Sequence, residues 1–102
     1  MTLVEIFIPR NFSIGQRVEI DRLKVLQQEL ARKFGGVTAF IRSSASGLWT
    51  NEHGHVEQDD IAVFEVMVSE LDHDWWKSFR QKLEVEFDQD EILIRGTQIE
   101  RI

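Results

Sequence analysis

The order of two amphipathic stretches and four β-type runs is the feature that most constrains the fold of this chain. Apolar residues recur at the three-and-four spacing of a buried helical stripe over residues 14–34, and again over residues 72–87. Runs with strand-type composition or alternation flank both stretches, at residues 3–8, 37–42, 61–68 and 91–97. The sequence therefore predicts the order β-α-β-β-α-β.

Capping residues mark the ends of both predicted helices. Ser13 and Gln16 fit a capping box at the start of the first helix. Gly35-Gly36 fits its end, because glycine takes the left-handed conformation at little steric cost. Asp72 or Asp74 can cap the second helix. The predicted buried stripes are Ile20, Leu23, Leu26, Leu30 and Phe34 in the first helix, and Trp76, Phe79, Leu83 and Phe87 in the second.

These elements predict an α+β fold, a ferredoxin-like β-α-β-β-α-β sandwich. It would contain a four-stranded antiparallel sheet with two helices on one face, and the first and third strands would be central. Leu48-Trp49-Thr50 and Val56-Glu57 look like the arms of an extended hairpin between the second and third strands, with turn residues between them. The 102 residues form one domain, residues 1–102, without a Pro- or Ser-rich linker.

Composition excludes several classes of function. The formal charge is −6, from 18 acids and 12 bases, which argues against nucleic-acid binding because neutralising phosphates needs Lys and Arg. There is no cysteine, hence no disulfide framework and no thiolate chemistry. The first apolar run contains Glu5 and has no basic leader, so we interpret it as a strand and not as a signal peptide. No apolar run is long enough to span a membrane. We expect an acidic cytoplasmic protein.

The alternation within the strands divides their residues between two sheet faces. One face is uniformly apolar and is assigned to the helices: Val4, Ile6, Ile8, Val37, Ala39, Ile41, Ala62, Phe64, Val66, Val68, Ile92 and Ile94. The opposite face is unusual, because it also carries apolar residues: Leu3, Phe7, Phe40, Val63, Met67 and Leu93. Exposed together, they would form a larger patch than monomers usually tolerate. We therefore expect a homodimer in which a second copy covers this face.

Four charged residues are set into the same face. Glu5 and Glu65 fall on the two central strands, whereas Arg42 and Arg95 fall on the outer strands. One interpretation is a set of structural ion pairs that determine the register of the dimer. The alternative is a cleft in which Glu5 and Glu65 act as acid and base and the two arginines bind an anionic substrate. In that alternative Phe40, Met67 and Trp49 would contact the substrate.

The stretch from residue 43 to 76 contains no Lys or Arg and includes all three histidines. It is interpreted as a solvated acidic face, or as a docking surface for a basic protein partner over residues 52–74. His53 and His55, with Asp59 and Asp60, are residue types that bind metals. However, Gly54 belongs to the predicted turn, so we expect no metal there. Phosphate-binding and nucleophile motifs are absent, and no cofactor is expected.

Several short features carry a resemblance to known proteins. They are Gly35-Gly36-Val37-Thr38, Gly47-Leu48-Trp49, the Gly54 turn and the apolar third strand. With them, residues 35–68 resemble small uncharacterised bacterial α+β proteins. The layout is also similar to dimeric α/β-barrel proteins, which include small monooxygenases and isomerases. The resemblance implies the fold and a dimer, and it carries no catalytic motif onto particular residues.

Three functional hypotheses remain from the sequence. The first is a homo-oligomeric, non-enzymatic binding or regulatory module of unknown ligand. The second is a small cofactor-independent enzyme of the dimeric α/β-barrel type, with Glu5 and Glu65 as acid and base and with Arg42 and Arg95 binding an anionic substrate. The third is an acidic protein that docks on a basic protein partner.

Overall fold

A computed structural model of the chain describes residues 1–10, 20–42, 48–50, 56–58 and 61–102, and it describes no side chains at 41–42, 48–50 or 56–58. Three sequence predictions lie outside the described residues. They are the capping box at Ser13 and Gln16, the helical turns at 14–19, and the hairpin turn with His53 and His55.

The described residues form six strands and two helices. In chain order they are β1 (Thr2–Pro9), α1 (Ile20–Phe34), β2 (Thr38–Arg42), β3 (Leu48–Thr50), β4 (Val56–Gln58), β5 (Ile61–Val68), α2 (His73–Glu86) and β6 (Leu93–Gln98). Four strands form one antiparallel sheet in the order β2-β5-β1-β6, whereas β3 and β4 pair separately. The chain is thus an α+β protein with a four-stranded antiparallel sheet and two helices, compatible with a ferredoxin-like fold.

Strand alternation places the core on the helix side of the sheet. Val4, Ile6 and Ile8 on β1 are almost inaccessible to solvent, and the residues between them are half-buried. Phe64 and Val66 on β5 are equally buried. Because successive side chains of a strand point to opposite faces, one face of the sheet is closed by packing, whereas the other, which carries Leu3, Glu5 and Phe7 of β1, is not covered by either described helix and is called the open face.

Helix α2 begins where its capping residue predicts. The side chain of Asp72 accepts a hydrogen bond from the backbone N–H of Trp75 at 3.1 Å, which satisfies one of the free amides of the first turn. Trp76, Phe79 and Leu83 are buried along one stripe. The helix ends at Phe87, which is itself buried and whose N–H donates to the carbonyl oxygen of Leu83.

Helix α1 packs beside α2 on the same face of the sheet. Leu23, Leu26 and Leu30 belong to the same core cluster as the α2 stripe. Lys82 Nζ of α2 lies 2.9 Å from Glu29 Oε1 of α1, so an ion pair also connects the two helices. After α1 the chain turns at Gly35, whose φ of 78° is a left-handed conformation that glycine adopts without strain.

Two residues assigned to the core are more exposed than predicted. Ile20 is 43% exposed, and Ala39 on β2 is exposed as well. Both line a groove of about 210 Å³ between α1 and β2. Strand β2 is an edge strand of the sheet, and the described part of α1 packs against β5 and does not extend over this margin.

Candidate functional site on the open sheet face

A polar row crosses the open face at the middle of the sheet. In the strand register Thr38 of β2 lies opposite Glu65 of β5, Glu65 lies opposite Glu5 of β1, and Glu5 lies opposite Arg95 of β6. We call these four residues the polar row. Neighbouring strands are about 4.8 Å apart, so the side chains of adjacent members can interact. The row brings together three of the four charges that the sequence placed on this face.

Glu5 and Arg95 form an ion pair within the polar row. Arg95 Nε donates a hydrogen bond to Glu5 Oε1 at 2.9 Å. The same guanidinium lies over the ring of Phe7, 4.8 Å from its centroid. The Glu5 side chain is only 17% exposed, whereas that of Arg95 is 57% exposed. The negative charge of Glu5 is therefore balanced by Arg95, and more than half of the Arg95 side chain stays accessible to solvent.

Glu65 has a different environment from Glu5. It is half-buried, and among the side chains that the structure describes it makes no ion pair or hydrogen bond. Its two neighbours in the row are Thr38, which is neutral, and Glu5, whose charge Arg95 already balances. Among the described side chains, Glu65 is thus the acid of the row without a cation, and it can pair with a charge from outside them.

The polar row is surrounded by apolar side chains. Phe40, Met67 and Leu93 are 43%, 50% and 52% exposed, respectively. Leu3 and Phe7 are half-buried. Val63, by contrast, is only 4% exposed, and the register places it between Phe40 and Phe7. The open face is therefore apolar as predicted, with one of its members already shielded within the single copy.

Two predicted substrate-binding residues lie away from the polar row or outside the description. Arg42 pairs with Ile61 in the register, four residues along β2 from Thr38, which is roughly 13 Å of strand. Trp49 lies on β3 and pairs with Glu57 on β4. The side chains of both residues are outside the described part, so their roles stay predictions.

A cavity of about 460 Å³ opens at one end of the open face. Its walls include Glu65 and Met67 from the predicted site, together with Leu3 and Thr38. The remaining walls come from the α1–β2 turn and from the two ends of the chain: Phe34, Gly35, Gly36, Val37, Met1 and Arg101. This volume is within the range of small-molecule sites.

Sequence reasoning missed Arg101 as a member of this cavity. The residue follows β6 in a segment without helical or strand periodicity, and no local pattern signals where its side chain lies. The glycine pair was recognised only as a helix stop. A Cβ atom built on Gly35 or Gly36 would meet nothing within 4 Å, so this backbone lies open to an approaching molecule.

A larger cleft lies on the helix side of the sheet. Its volume is about 900 Å³, and its walls include Trp76, Lys77 and Arg80 of α2 and Gly96 of β6. Glu5 and Glu65 do not line it, whereas Arg95 does. Arg10, at the end of β1, is a second unpredicted feature, since it is only 8% exposed and its Nε atom has no hydrogen-bond partner among the described residues.

The remaining predictions concern acids, metals and membranes. The described acids of the acidic stretch lie in three places: Glu57 on β4, Glu65 on the open face, and Glu70, Asp72 and Asp74 at or just before the start of α2. Within the described ranges, no three His, Asp or Glu side chains are grouped so that they hold a metal ion. No helix in that part of the chain is long and apolar enough to cross a membrane.

Comparisons with known proteins show the fold alone. No family model matches the chain. No curated protein matches it either. The chain is similar to a solved structure of a phage SAM lyase in complex with S-methyl-5'-thioadenosine, with a TM-score of 0.67 and 11% sequence identity. The similarity covers 95% of this chain and 80% of that one, so it extends across both helices and the sheet.

Proposed function

We propose that this protein is a homo-oligomeric binding module that pairs with a second copy through its open sheet face. The observation that carries the proposal is the set of exposed apolar side chains beside the polar row. Phe40 and Leu93 are each about half exposed in the single copy, on a face that neither of the described helices covers. The register places Phe40 and Leu93 at the two ends of one row, with Val63 and Phe7 between them, and a continuous apolar row of this kind is typical of interfaces.

The size of the face supports pairing of two copies. Four strands about 4.8 Å apart and up to eight residues long cover roughly 500 Å² in projection, before the relief of the side chains is added. Specific interfaces bury about 1,200–2,000 Å² in total. Two such faces cover at most roughly 1,000 Å² in projection, just below that range, and the relief of the side chains would bring the interface to its lower end.

The charges on the face also fit an interface. The Glu5–Arg95 pair is internally balanced, so covering it costs less than covering an isolated ion. Glu65, which has no such partner among the described side chains, lines the cavity at the end of the face. In the proposed dimer the second copy would cover the side of the polar row that carries Phe7, Phe40 and Leu93, and the cavity that Glu65 lines, on the opposite side with Met67, would stay open to a ligand.

Light scattering over a concentration series tests the proposal. We expect a mass of two chains at high concentration, with dissociation on dilution. A mass of one chain at every concentration would refute pairing through this face. The proposal includes the ferredoxin-like sandwich as the arrangement of each copy and a cytoplasmic location.

A second candidate is a small enzyme of the dimeric α/β-barrel type. It is favoured by the adjacent positions of Glu5 and Glu65 in the register, and by the similarity to a lyase bound to S-methyl-5'-thioadenosine. In this candidate Glu65 would be the acid or base, because Arg95 engages Glu5. Arg42 and Arg95 would bind an anionic substrate.

Binding of S-methyl-5'-thioadenosine, followed by calorimetry, tests the second candidate. We expect the unmodified chain to bind S-methyl-5'-thioadenosine. We expect Glu65→Gln to retain this binding, because a residue that acts as acid or base is not needed to hold the ligand. No heat of binding would count against it.

The third candidate, docking of the acidic residues on a basic protein, predicts association that weakens with salt, and association unchanged between low and high salt would exclude it.

A further inference from the structure

The cavity at the end of the open face contains an acid and a base that do not meet. Glu65 and Arg101 both line it, yet they form no ion pair with each other. Opposite charges that line one small cavity attract an intervening molecule that carries both signs, since each charge then gains a partner.

The other residues that line the cavity indicate what kind of uncharged group such a molecule would carry. Leu3, Val37 and Met67 supply apolar surface. Phe34 forms part of the wall and is itself held in place by stacking on Trp76, with the ring centroids 5.2 Å apart. A rigid aromatic wall and flexible methionine surface favour an apolar group of intermediate size.

Thr38 and the turn before it complete the polar side of the cavity. The Thr38 side chain is exposed beside Glu65, and the glycine backbone at residues 35–36 has no Cβ atom to keep a ligand away. These groups can approach the polar end of a ligand closely.

From these observations we infer that the cavity binds a small zwitterion, an α-amino acid or a derivative with an apolar side chain. Its ammonium group would donate to Glu65, its carboxylate would accept from Arg101, and its side chain would contact Met67 and Phe34. The inference names a ligand class for the proposed binding module. It does not depend on dimerisation, because every wall of the cavity comes from one copy.

Three probe compounds separate the two charged contacts. L-Phenylalanine carries both charges, L-phenylalaninamide lacks the carboxylate, and 3-phenylpropionate lacks the ammonium group. Their binding to the full chain is followed through backbone amide shifts in NMR spectra. We expect phenylalanine to bind about tenfold more tightly than either analogue, the ratio expected for one charge-assisted hydrogen bond. The largest shifts should be those of Gly35, Gly36 and Thr38.

Two variants and one control assign each contact to its residue. Glu65→Gln should weaken phenylalanine about tenfold without weakening 3-phenylpropionate, and Arg101→Gln should weaken phenylalanine without weakening the amide. Arg32→Gln removes an exposed cation of α1 that does not line the cavity, and it should change nothing. Equal affinity for the three probes, absence of shifts, or shifts confined to the helix-side cleft would overturn the inference.

Light scattering on the same samples separates this inference from the dimer proposal. Selective phenylalanine binding by a monomeric chain would support the zwitterion site and refute pairing. A dimer that does not bind phenylalanine selectively would support pairing and refute the zwitterion site.

Discussion

Leu93→Thr offers a direct measure of how much the open face contributes to pairing. Leu93 is 52% exposed on the edge strand β6, it lies opposite Phe7 in the register, and it does not line the Glu65 cavity. Threonine, unlike leucine, is β-branched and favours strands, so the substitution keeps a strand-forming residue at this position while removing most of the apolar surface. The substitution should therefore weaken the dimer without unfolding the single copy.

The magnitude follows from the exposure of the side chain. Complete burial of a leucine is worth about 1.5–3 kcal/mol, and roughly half of that remains available at a position that is 52% exposed. A two-fold dimer contains the position twice, so the leucines contribute roughly 1.5–3 kcal/mol to association. Threonine keeps one methyl group, and we expect the dissociation constant to rise about 10- to 30-fold.

Sedimentation equilibrium at several concentrations measures this constant. Val85→Thr is the matched control, because Val85 is 84% exposed on α2 and lies away from the open face. Thermal unfolding of both variants shows whether the single copy remains folded. The reasoning is refuted if the two variants have the same dissociation constant, or if Leu93→Thr dissociates no more readily than the unmodified chain.

Three further predictions concern the scaffold that holds the site. Asp72→Ala should lower the free energy of unfolding by about 1 kcal/mol, because it removes the cap of α2, and Asp72→Asn should restore most of the loss in chemical denaturation. Gly35→Ala should lower the free energy of unfolding by about 1–2 kcal/mol, because Gly35 has a left-handed φ. Gly36→Ala is the control and should lower it less, because Gly36 has equally open surroundings without that φ; equal melting temperatures of the two variants would contradict this. The hydrogen bond to Glu29 raises the pKa of Lys82 above 10.5, so the pair stabilises the fold below that pH and its contribution disappears as pH rises through the raised value. The stability difference between the unmodified chain and Glu29→Gln should accordingly shrink in strong alkali, and a difference independent of pH would exclude the linkage.

The elements of the main sheet were predictable because each depends on local patterns. Period-two alternation identified β1 and β5, and their central positions follow from the element order. The predicted end of α1 at Phe34 is confirmed, and of the two candidate caps of α2, Asp72 and Asp74, the structure has Asp72. Ala39 was misassigned to the core because alternation reports which face a residue occupies, and not whether a helix extends far enough to cover an edge strand.

The candidate site was predictable only in part. The sequence placed Glu5, Glu65 and Arg95 on one face, and the register confirms that they share a row. It did not indicate which acid the arginine engages. That choice depends on β1 pairing with β6 in a register that sets Arg95 directly beside Glu5 and one strand farther from Glu65.

The sequence by itself determined the strands, the helices and the presence of an apolar second sheet face, because these follow from spacing along the chain and from the preferences of single residues. Only the tertiary structure decided that Glu5 is paired and Glu65 is left free among the described side chains. Only the tertiary structure brought Arg101 to the cavity that Glu65 lines. Both outcomes depend on contacts between residues distant in sequence, and the energies of such contacts are set by register and packing, which no local pattern encodes.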